Sequence, residues 1–347
     1  MHHLKSLLNI SYPIVQAPML GVTTPAMVAA VANAGALGSL PVGGLSPERT
    51  RELIRETKAL TNRPFAVNLF AHKPAGEVNR EEIGIMQDFL AELCQEFNIP
   101  YERKDIDTFR FYYYEDLIDV LLEERISIVS FTFGELKAEA MSAFKQNGVV
   151  TIGSATSVAE AKALALSGVD ALTIQGIEAG GHRSSFLADQ ALPQVGLFSL
   201  LPQVADEVNL PLLAAGGIYN TRTVKAAFAL GASGIQVGSL LVTADESLAS
   251  EAYKEAILGA RDTSTALTRA FSGRWARGIQ NTFMQRMDEK CITIPYYTFQ
   301  NQLMSLVRAY AQKHNVKDFI ALWAGQSAGK SVRASSHEIV MRLIDML

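Results

Sequence analysis

The stretch Ala171-Leu172-Thr173-Ile174-Gln175-Gly176-Ile177-Glu178-Ala179-Gly180-Gly181-His182 decides the fold of this chain. Its first residues form a short, mostly apolar run, the pattern of a parallel strand buried on both faces. The run then breaks into glycines and ends on a histidine. Gly176, Gly180 and Gly181 let the backbone adopt conformations closed to other residues and approach a ligand closely. Polar Gln175, acidic Glu178 and titratable His182 are set among them. In isolation the stretch is a strand followed by a surface turn. The flanking chain gives it a larger meaning.

An echo lies some sixty residues downstream. Gly168 to Gly176 resembles Gly231-Ala232-Ser233-Gly234-Ile235-Gln236-Val237-Gly238: a glycine stops a helix, and a strand follows carrying Gln and then Gly. Outward from these two, the same rhythm predicts strands over residues 13–19, 36–42, 64–70, 126–133, 149–154, 210–218 and 234–240. Helices are predicted between them over 25–34, 47–60, 135–146, 157–167, 196–208 and 221–230. Thr24 and Ser46 serve as N-caps, Pro25 and Pro47 sit at first helical positions, and Gly35 and Gly231 stop helices. Eight strands alternating with helices imply right-handed crossovers and a parallel sheet. An open doubly wound sheet shares this rhythm, but the size and the internal echo favour a (β/α)8 TIM barrel.

Two segments break the rhythm. Residues 72–125 form an insertion after the third strand, with helices predicted over 80–97 and 115–124. Between them lies an aromatic cluster, Phe109, Phe111, Tyr112, Tyr113 and Tyr114. No basic groove accompanies it, so it reads as a packed cap or lid rather than a base-stacking surface. Beyond residue 244 the strands stop. The chain therefore divides into a barrel over 1–244 and an appended, mostly helical region over 245–347, with helices at 247–258, 299–313 and 336–346. Loops at 271–279 and 322–326 are expected to fold over the barrel mouth, and the last helix to complete the outer ring.

Composition narrows the function classes. The 347 residues are 48% hydrophobic and 19% charged, with a formal net charge of −4 and no Lys/Arg-dense run. This describes a globular protein and argues against nucleic-acid binding. Cys94 and Cys291 are the only cysteines, too few for a disulfide framework or a cysteine zinc site. No His/Asp/Glu grouping has metal-ligand spacing, so no metal is expected. No signal peptide and no membrane-spanning run are recognisable, which makes the cytoplasm the expected location. Whether His2 and His3 are native is open.

In such a barrel the chemistry sits where strands end. Gly216-Gly217 and Gly238-Ser239 occupy the seventh and eighth of these positions, where free backbone N–H groups suit a phosphate monoester. Gln16 to Met19, Asn68 and Gln175 are expected on the same rim, and their amides offer the donors and acceptors that a flavin's pyrimidine edge requires. His182, at the end of the sixth strand's loop, can act as acid, base or partner to an anionic substrate. His72 is a weaker candidate, and Glu178 is expected to orient its loop or face solvent. The Gly-x-Ser-x-Gly elbow and the GxGxxG fingerprint are both absent.

With these residues in view, Gln16-Ala17-Pro18-Met19, Gln175 to His182, Ala214-Ala215-Gly216-Gly217-Ile218, Phe271-Ser272-Gly273-Arg274, Ala276-Arg277-Gly278 and Trp323-Ala324-Gly325-Gln326 resemble the nitronate monooxygenases (formerly 2-nitropropane dioxygenases). The resemblance spans nearly the whole chain in order. Its Gly-Gly-His loop also resembles flavin-dependent enoyl-acyl-carrier-protein reductases, and the aromatic insertion departs from the pattern. The resemblance implies FMN, held by Ala17, Pro18, Met19, Asn68, Gln175, Gly180, Gly181, Gly216, Gly217, Gln236, Val237, Gly238 and Ser239, with Gly325 and Gln326 reaching in from the appended region. It implies His182 as the active-site histidine. The implied reaction oxidises an alkyl nitronate, such as propionate 3-nitronate, with O2 to a carbonyl compound and nitrite, without NAD(P)H. Two other readings share the glycine turns: an NAD(P)H-dependent FMN reductase of enoyl thioesters or quinones, and a non-catalytic flavin- or phosphate-ligand-binding protein. Monomer and homodimer are both open.

Overall fold

The computed structural model describes all residues except Met1, Ala75, Glu77 and 188–191, and of His2 only the backbone. Eight parallel strands are present: Ile14–Gln16, Gly38–Pro41, Phe65–Phe70, Ile128–Thr132, Val150–Ala155, Ala171–Gln175, Leu212–Ala215 and Gly234–Val237. The first pairs with the eighth, and each of the others with its neighbour in the chain, from the second to the eighth. A parallel bridge between Val15 and Leu37 brings the first and second strands together, with Gln16 N–H donating to Leu37 O at 2.9 Å. The sheet is thus a (β/α)8 barrel, as expected.

Local chemistry starts and stops the helices that separate the strands. Thr24, Ser46, Ser157 and Asn220 accept backbone N–H groups at the first turns of Pro25–Asn33, Pro47–Leu60, Val158–Ser167 and Thr221–Ala229. Gly168, with φ of +88°, ends the helix before the sixth strand in the left-handed region, where a side chain would be strained. The final helix, Ser336–Ile344, packs against Pro25–Asn33 and adds Ile339, Val340 and Leu343 to the core.

The interior of the barrel has two different layers. The lower one holds Val15, Leu37, Ala66, Ile128, Ile152, Ala171 and Leu213, closed from below by Leu4 and Leu8 of an N-terminal helix, His2–Leu8. That helix is not among the elements expected from the sequence. At the eighth strand the layer contains Gly234, where a Cβ would lie 2.6 Å from Leu4 Cδ2, so glycine makes room for the plug. Two residues further along each strand, on the same face by the period of two, stand Ala17, Ser39, Asn68, Ser130, Ser154, Thr173, Ala215 and Gln236. This layer is small or polar throughout. An apolar floor beneath a polar layer makes a cavity that opens at the strands' C-terminal ends.

The insertion and residues beyond 244 cover that opening. Helix Arg80–Glu96 shares a second hydrophobic cluster with the C-terminal segment, where Phe89, Leu90 and Leu93 join Phe283, Met287 and Phe319. Phe109 and Phe111 pack on Phe299, and Lys104 Nζ donates to Gln302 O (2.6 Å) and Ser305 Oγ (2.7 Å). The single helix expected over 299–313 is broken at Met304 into Phe299–Leu303 and Ser305–Lys313. The expected helix over 115–124 begins instead as a 3-10 turn, Tyr114–Leu117. An antiparallel sheet that the sequence did not reveal joins Thr265–Thr268, Ala276–Ile279 and the two-residue strand Gly181–His182. Residues 276–279 therefore form a strand rather than a loop. No helix among the described residues is long and apolar enough to cross a membrane.

Candidate active site

The loop after the sixth strand is pinned through its carbonyls. The wholly buried Arg183 donates to Gly176 O (2.6 Å) and Gln175 O (3.1 Å), and Arg277 Nε donates to Ile177 O at 2.8 Å. Glu178 turns its carboxylate to Leu197 N–H, at 2.9 and 3.0 Å, which orients the loop from its other side. Neither role is legible locally: Arg277 stands in a motif of the family resemblance without an assigned partner, and the carbonyls that Arg183 and Arg277 reach are brought to them only by the fold.

A cavity of about 340 Å³ occupies the barrel mouth. Of the expected cofactor residues, Ala17, Pro18, Met19, Asn68, Gln175, Gly180, Gly181, Gly216, Gly217, Gln236, Val237, Gly238, Ser239 and Gly325 all line it. Gln326 does not. Its side chain is exposed, and its N–H donates to Glu178 O at 3.0 Å, so it serves as a backbone staple. Gln16 is also absent from the lining. It lies out of phase with the inward-facing residues, fully buried, with Nε2 donating to Thr23 Oγ1 at 3.0 Å. Gln175 lines the cavity but uses both ends of its amide on the protein, donating to His182 O and accepting from Ser184 N–H, each at 3.0 Å. These bonds shape the histidine loop and leave one N–H and one lone pair of the amide.

The remaining groups fit a flavin phosphate ester and ring. Gly216 and Gly217 have φ of +118° and +70°, and the N–H groups of Gly216, Gly217, Gly238 and Ser239 have no acceptor among the described residues. Unpaired donors at two adjacent strand ends form an anion cradle. A Cβ on Gly238 would stand 3.2 Å from Ala17 Cβ, so the eighth turn packs tightly against the end of the first strand. Ser239 Oγ accepts from Gly325 N–H at 2.9 Å and keeps its own proton for donation. Deeper in the cavity, Asn68 Nδ2 donates to Ser130 Oγ and Gln236 Oε1 accepts from Thr173 Oγ1, both at 3.0 Å. Asn68 Oδ1 and Gln236 Nε2 are left as one acceptor and one donor without partners among the described residues.

His182 is held from three directions. Its backbone pairs with Ala276 in the small sheet, its carbonyl accepts from Gln175, and its Nε2 lies 2.8 Å from Ser272 Oγ. Trp323 and Phe133 flank the ring at 5.3 and 5.8 Å between centroids. Nδ1 has no protein partner among the described residues. Ser272 Oγ has a second acceptor in Arg274 O at 3.3 Å; where its proton goes to the nearer Nε2, the ring proton resides on Nδ1, the nitrogen left for a ligand. Burial pushes the His182 pKa down to about 3, reinforced by the cations of Arg274 and Arg308. The same causes, burial and then Arg274, push His72 down to about 4. Both rings are therefore neutral at physiological pH, and with Ser272 donating to Nε2 the site supplies a neutral N–H donor at Nδ1 of His182. Activity on a pre-formed nitronate should accordingly show no inflection near pH 6.5. If a charged imidazole were required, kcat/KM would fall as pH rose through that value. A pH profile of kcat/KM between pH 5.5 and 8 checks this.

His72 lines the cavity, yet neither ring nitrogen has a partner among the described residues; it packs edge-on to Tyr297 at 4.9 Å. Phe111 and Tyr112 of the insertion also line the cavity. Tyr114 does not. It is buried, and its hydroxyl accepts Lys137 N–H at 3.0 Å.

Comparison with known proteins agrees with this geometry. A sequence model of the nitronate monooxygenase family matches residues 2–345. The chain is 41% identical over 324 residues to a probable nitronate monooxygenase of Staphylococcus saprophyticus, covering 92% of this chain and 90% of the relative. It is 40% identical over 346 residues to a nitronate monooxygenase of Pseudomonas aeruginosa, covering 98% and 97%. Among solved structures, a nitroalkane oxidase from Streptomyces ansochromogenes superposes with a TM-score of 0.90 at 34% identity, covering 99% of this chain and 97% of that one. FabK from Thermotoga maritima superposes with a TM-score of 0.76 at 28% identity, covering 99% and 95%. The cradle of free N–H groups, the half-buried neutral histidine and the matched motifs thus lie in one framework, and the chain belongs to the nitronate monooxygenase family.

Proposed function

We propose that this protein binds FMN and oxidises alkyl nitronates with O2 to a carbonyl compound and nitrite, without NAD(P)H. One observation supports this most directly: the unpartnered Nδ1 of neutral His182 and the unpartnered N–H groups of Gly216, Gly217, Gly238 and Ser239 belong to residues that line one cavity. The flavin, when bound, supplies the electron transfer between substrate and O2. The chain's own residues hold, orient and desolvate. The N–H groups of the seventh and eighth turns take the phosphate. Asn68 and Gln236 offer an acceptor and a donor to the ring's polar edge. His182 presents an N–H to the negatively charged nitronate oxygens, and Phe133, Tyr297 and Trp323 keep water from that contact. Low local polarity strengthens such a hydrogen bond.

Family membership does not favour the NAD(P)H-dependent reductase or the non-catalytic binder. The test is oxygen consumption by purified protein mixed with propionate 3-nitronate or an alkyl nitronate, with and without NADH. The expected result is yellow protein, and oxygen uptake with nitrite release that NADH does not increase. Colourless protein that cannot be reconstituted with FMN, or uptake that requires NADH, overturns the reading.

A further inference from the structure

A cation on the cavity wall has so far entered only through its field on His182. Arg308, on helix Ser305–Lys313, lines the cavity on the side of the insertion and C-terminal segment, along with Phe111, Tyr112 and Asn301. Its Nη2 donates to Asn301 O (2.9 Å) and Asn301 Oδ1 (2.8 Å), which fixes the guanidinium plane. Its Nε is buried without a partner, and Nη1 has no acceptor among the described residues. Nearby Thr298 Oγ1, also on the lining, is a second buried polar atom without a partner. Among the described residues, the only carboxylate on the cavity wall is Glu178, and both its oxygens receive the Leu197 N–H. A guanidinium enclosed without a counter-charge is costly, and a bound anion relieves that cost.

The nitronate end of the substrate already has a donor in His182, on the strand-six side. Arg308 comes from a different part of the chain, and the aromatic rings of Phe111, Tyr112 and Tyr297 on the same lining suit a hydrocarbon spacer. We propose that Arg308 is a specificity-determining residue, binding a second anionic group, a carboxylate, at the end of the substrate remote from the nitronate carbon. The inference rests on the nitronate-oxidising function proposed above. Arg110, exposed where the insertion meets the mouth, adds positive charge along the way in. A planar guanidinium matches a carboxylate in a two-point contact that an ammonium reproduces only in part.

Two nitronates of equal chain length separate this idea from the function itself: propionate 3-nitronate, with the carboxylate, and propyl-1-nitronate, without it. Wild-type protein is expected to have the lower KM for the first. Arg308→Gln should raise the KM for propionate 3-nitronate by about tenfold or more, with kcat and the kinetics of propyl-1-nitronate little changed. Arg308→Lys should recover part of the loss. Equal KM changes for both substrates would place Arg308 at the nitronate group and overturn the proposal, as would no change for either. If wild-type protein oxidises neither nitronate, the function reading fails first, and that outcome is distinct. Should Arg308→Gln not fold, competition on wild-type protein decides: butyrate should inhibit competitively and butyramide should not. Equal inhibition by the two overturns the proposal.

Discussion

His182→Ala is expected to lower kcat/KM for an alkyl nitronate by about a hundredfold or more while the protein keeps its flavin, since removal of one preorganised donor to a developing or fixed negative charge typically has an effect of this size. The phosphate cradle does not involve the imidazole, so the flavin absorbance per protein should match the wild type. The loss should appear because no water replaces the donor well: Phe133, Tyr297 and Trp323 surround the ring. His182→Gln, which restores an N–H donor without a titratable group, should recover part of the rate. Since burial and the Arg274 and Arg308 cations keep the imidazole neutral, the wild-type and Gln proteins should also share a flat response across pH 6.5. Steady-state kinetics with a pre-formed nitronate measure all of this. A flavin-loaded alanine variant that turns over at the wild-type rate would remove His182 from the mechanism.

The barrel was legible in the sequence because its signals are local. Thr24 and Pro25, Ser46 and Pro47, and Gly168 before Ala171 each mark a boundary through a short-range rule, and the structure places caps or stops at all three. The glycine turns were legible for the same reason. What the sequence hid depends on partners distant in the chain. Gln16 and Gln175 have the right side chains for a cofactor edge. Yet Gln16 falls out of phase with Val15 and Ala17, and Gln175 is bonded to the backbone of His182 and Ser184. The small sheet escaped notice because Gly181–His182 is a two-residue strand whose partner lies some ninety residues away. No periodicity can be read over two residues.

The arginines show the same limit. Arg183, Arg277 and Arg308 look alike in sequence, as cations scattered among small or polar residues. In the fold, two of them hold three successive carbonyls at the end of the sixth strand, while the third lines the cavity wall with no carboxylate partner among the described residues. The difference is one of burial and acceptor position, and neither is encoded within a few residues. The appended segment behaves likewise: helical stretches near 251–258, 299–313 and 336–344 could be located, but not helix Thr282–Lys290, nor the fact that Phe109 and Phe111 from the insertion would seat on Phe299 to form one roof.

The contact between that appended segment and the strand-six loop sets up the other large effect. A Cβ at Gly180 would lie 2.4 Å from Gly325 N and 2.5 Å from Ala324 C, both backbone atoms that no rotamer change can move aside. Gly180→Ala must therefore push residues 324–326 away from the loop. That movement lengthens the Gly325 N–H to Ser239 Oγ bond and the Gln326 N–H to Glu178 O bond, which tie the eighth turn and the sixth loop to the same staple. Ser239 is one of the donors assigned to the FMN phosphate, so the clash reaches the cofactor through two hydrogen bonds. Overpacking of this kind costs about 1–3 kcal/mol, and if most of it falls on the bound state the FMN Kd should rise roughly tenfold to a hundredfold. The measurement is an FMN titration of apoprotein followed by flavin fluorescence, with urea unfolding of the apoprotein alongside. Ser239→Ala removes the acceptor without the clash and should weaken FMN less than Gly180→Ala does. If Gly180→Ala binds FMN as tightly as the wild type, the staple is only a cover, and the cradle stands without residues 324–326.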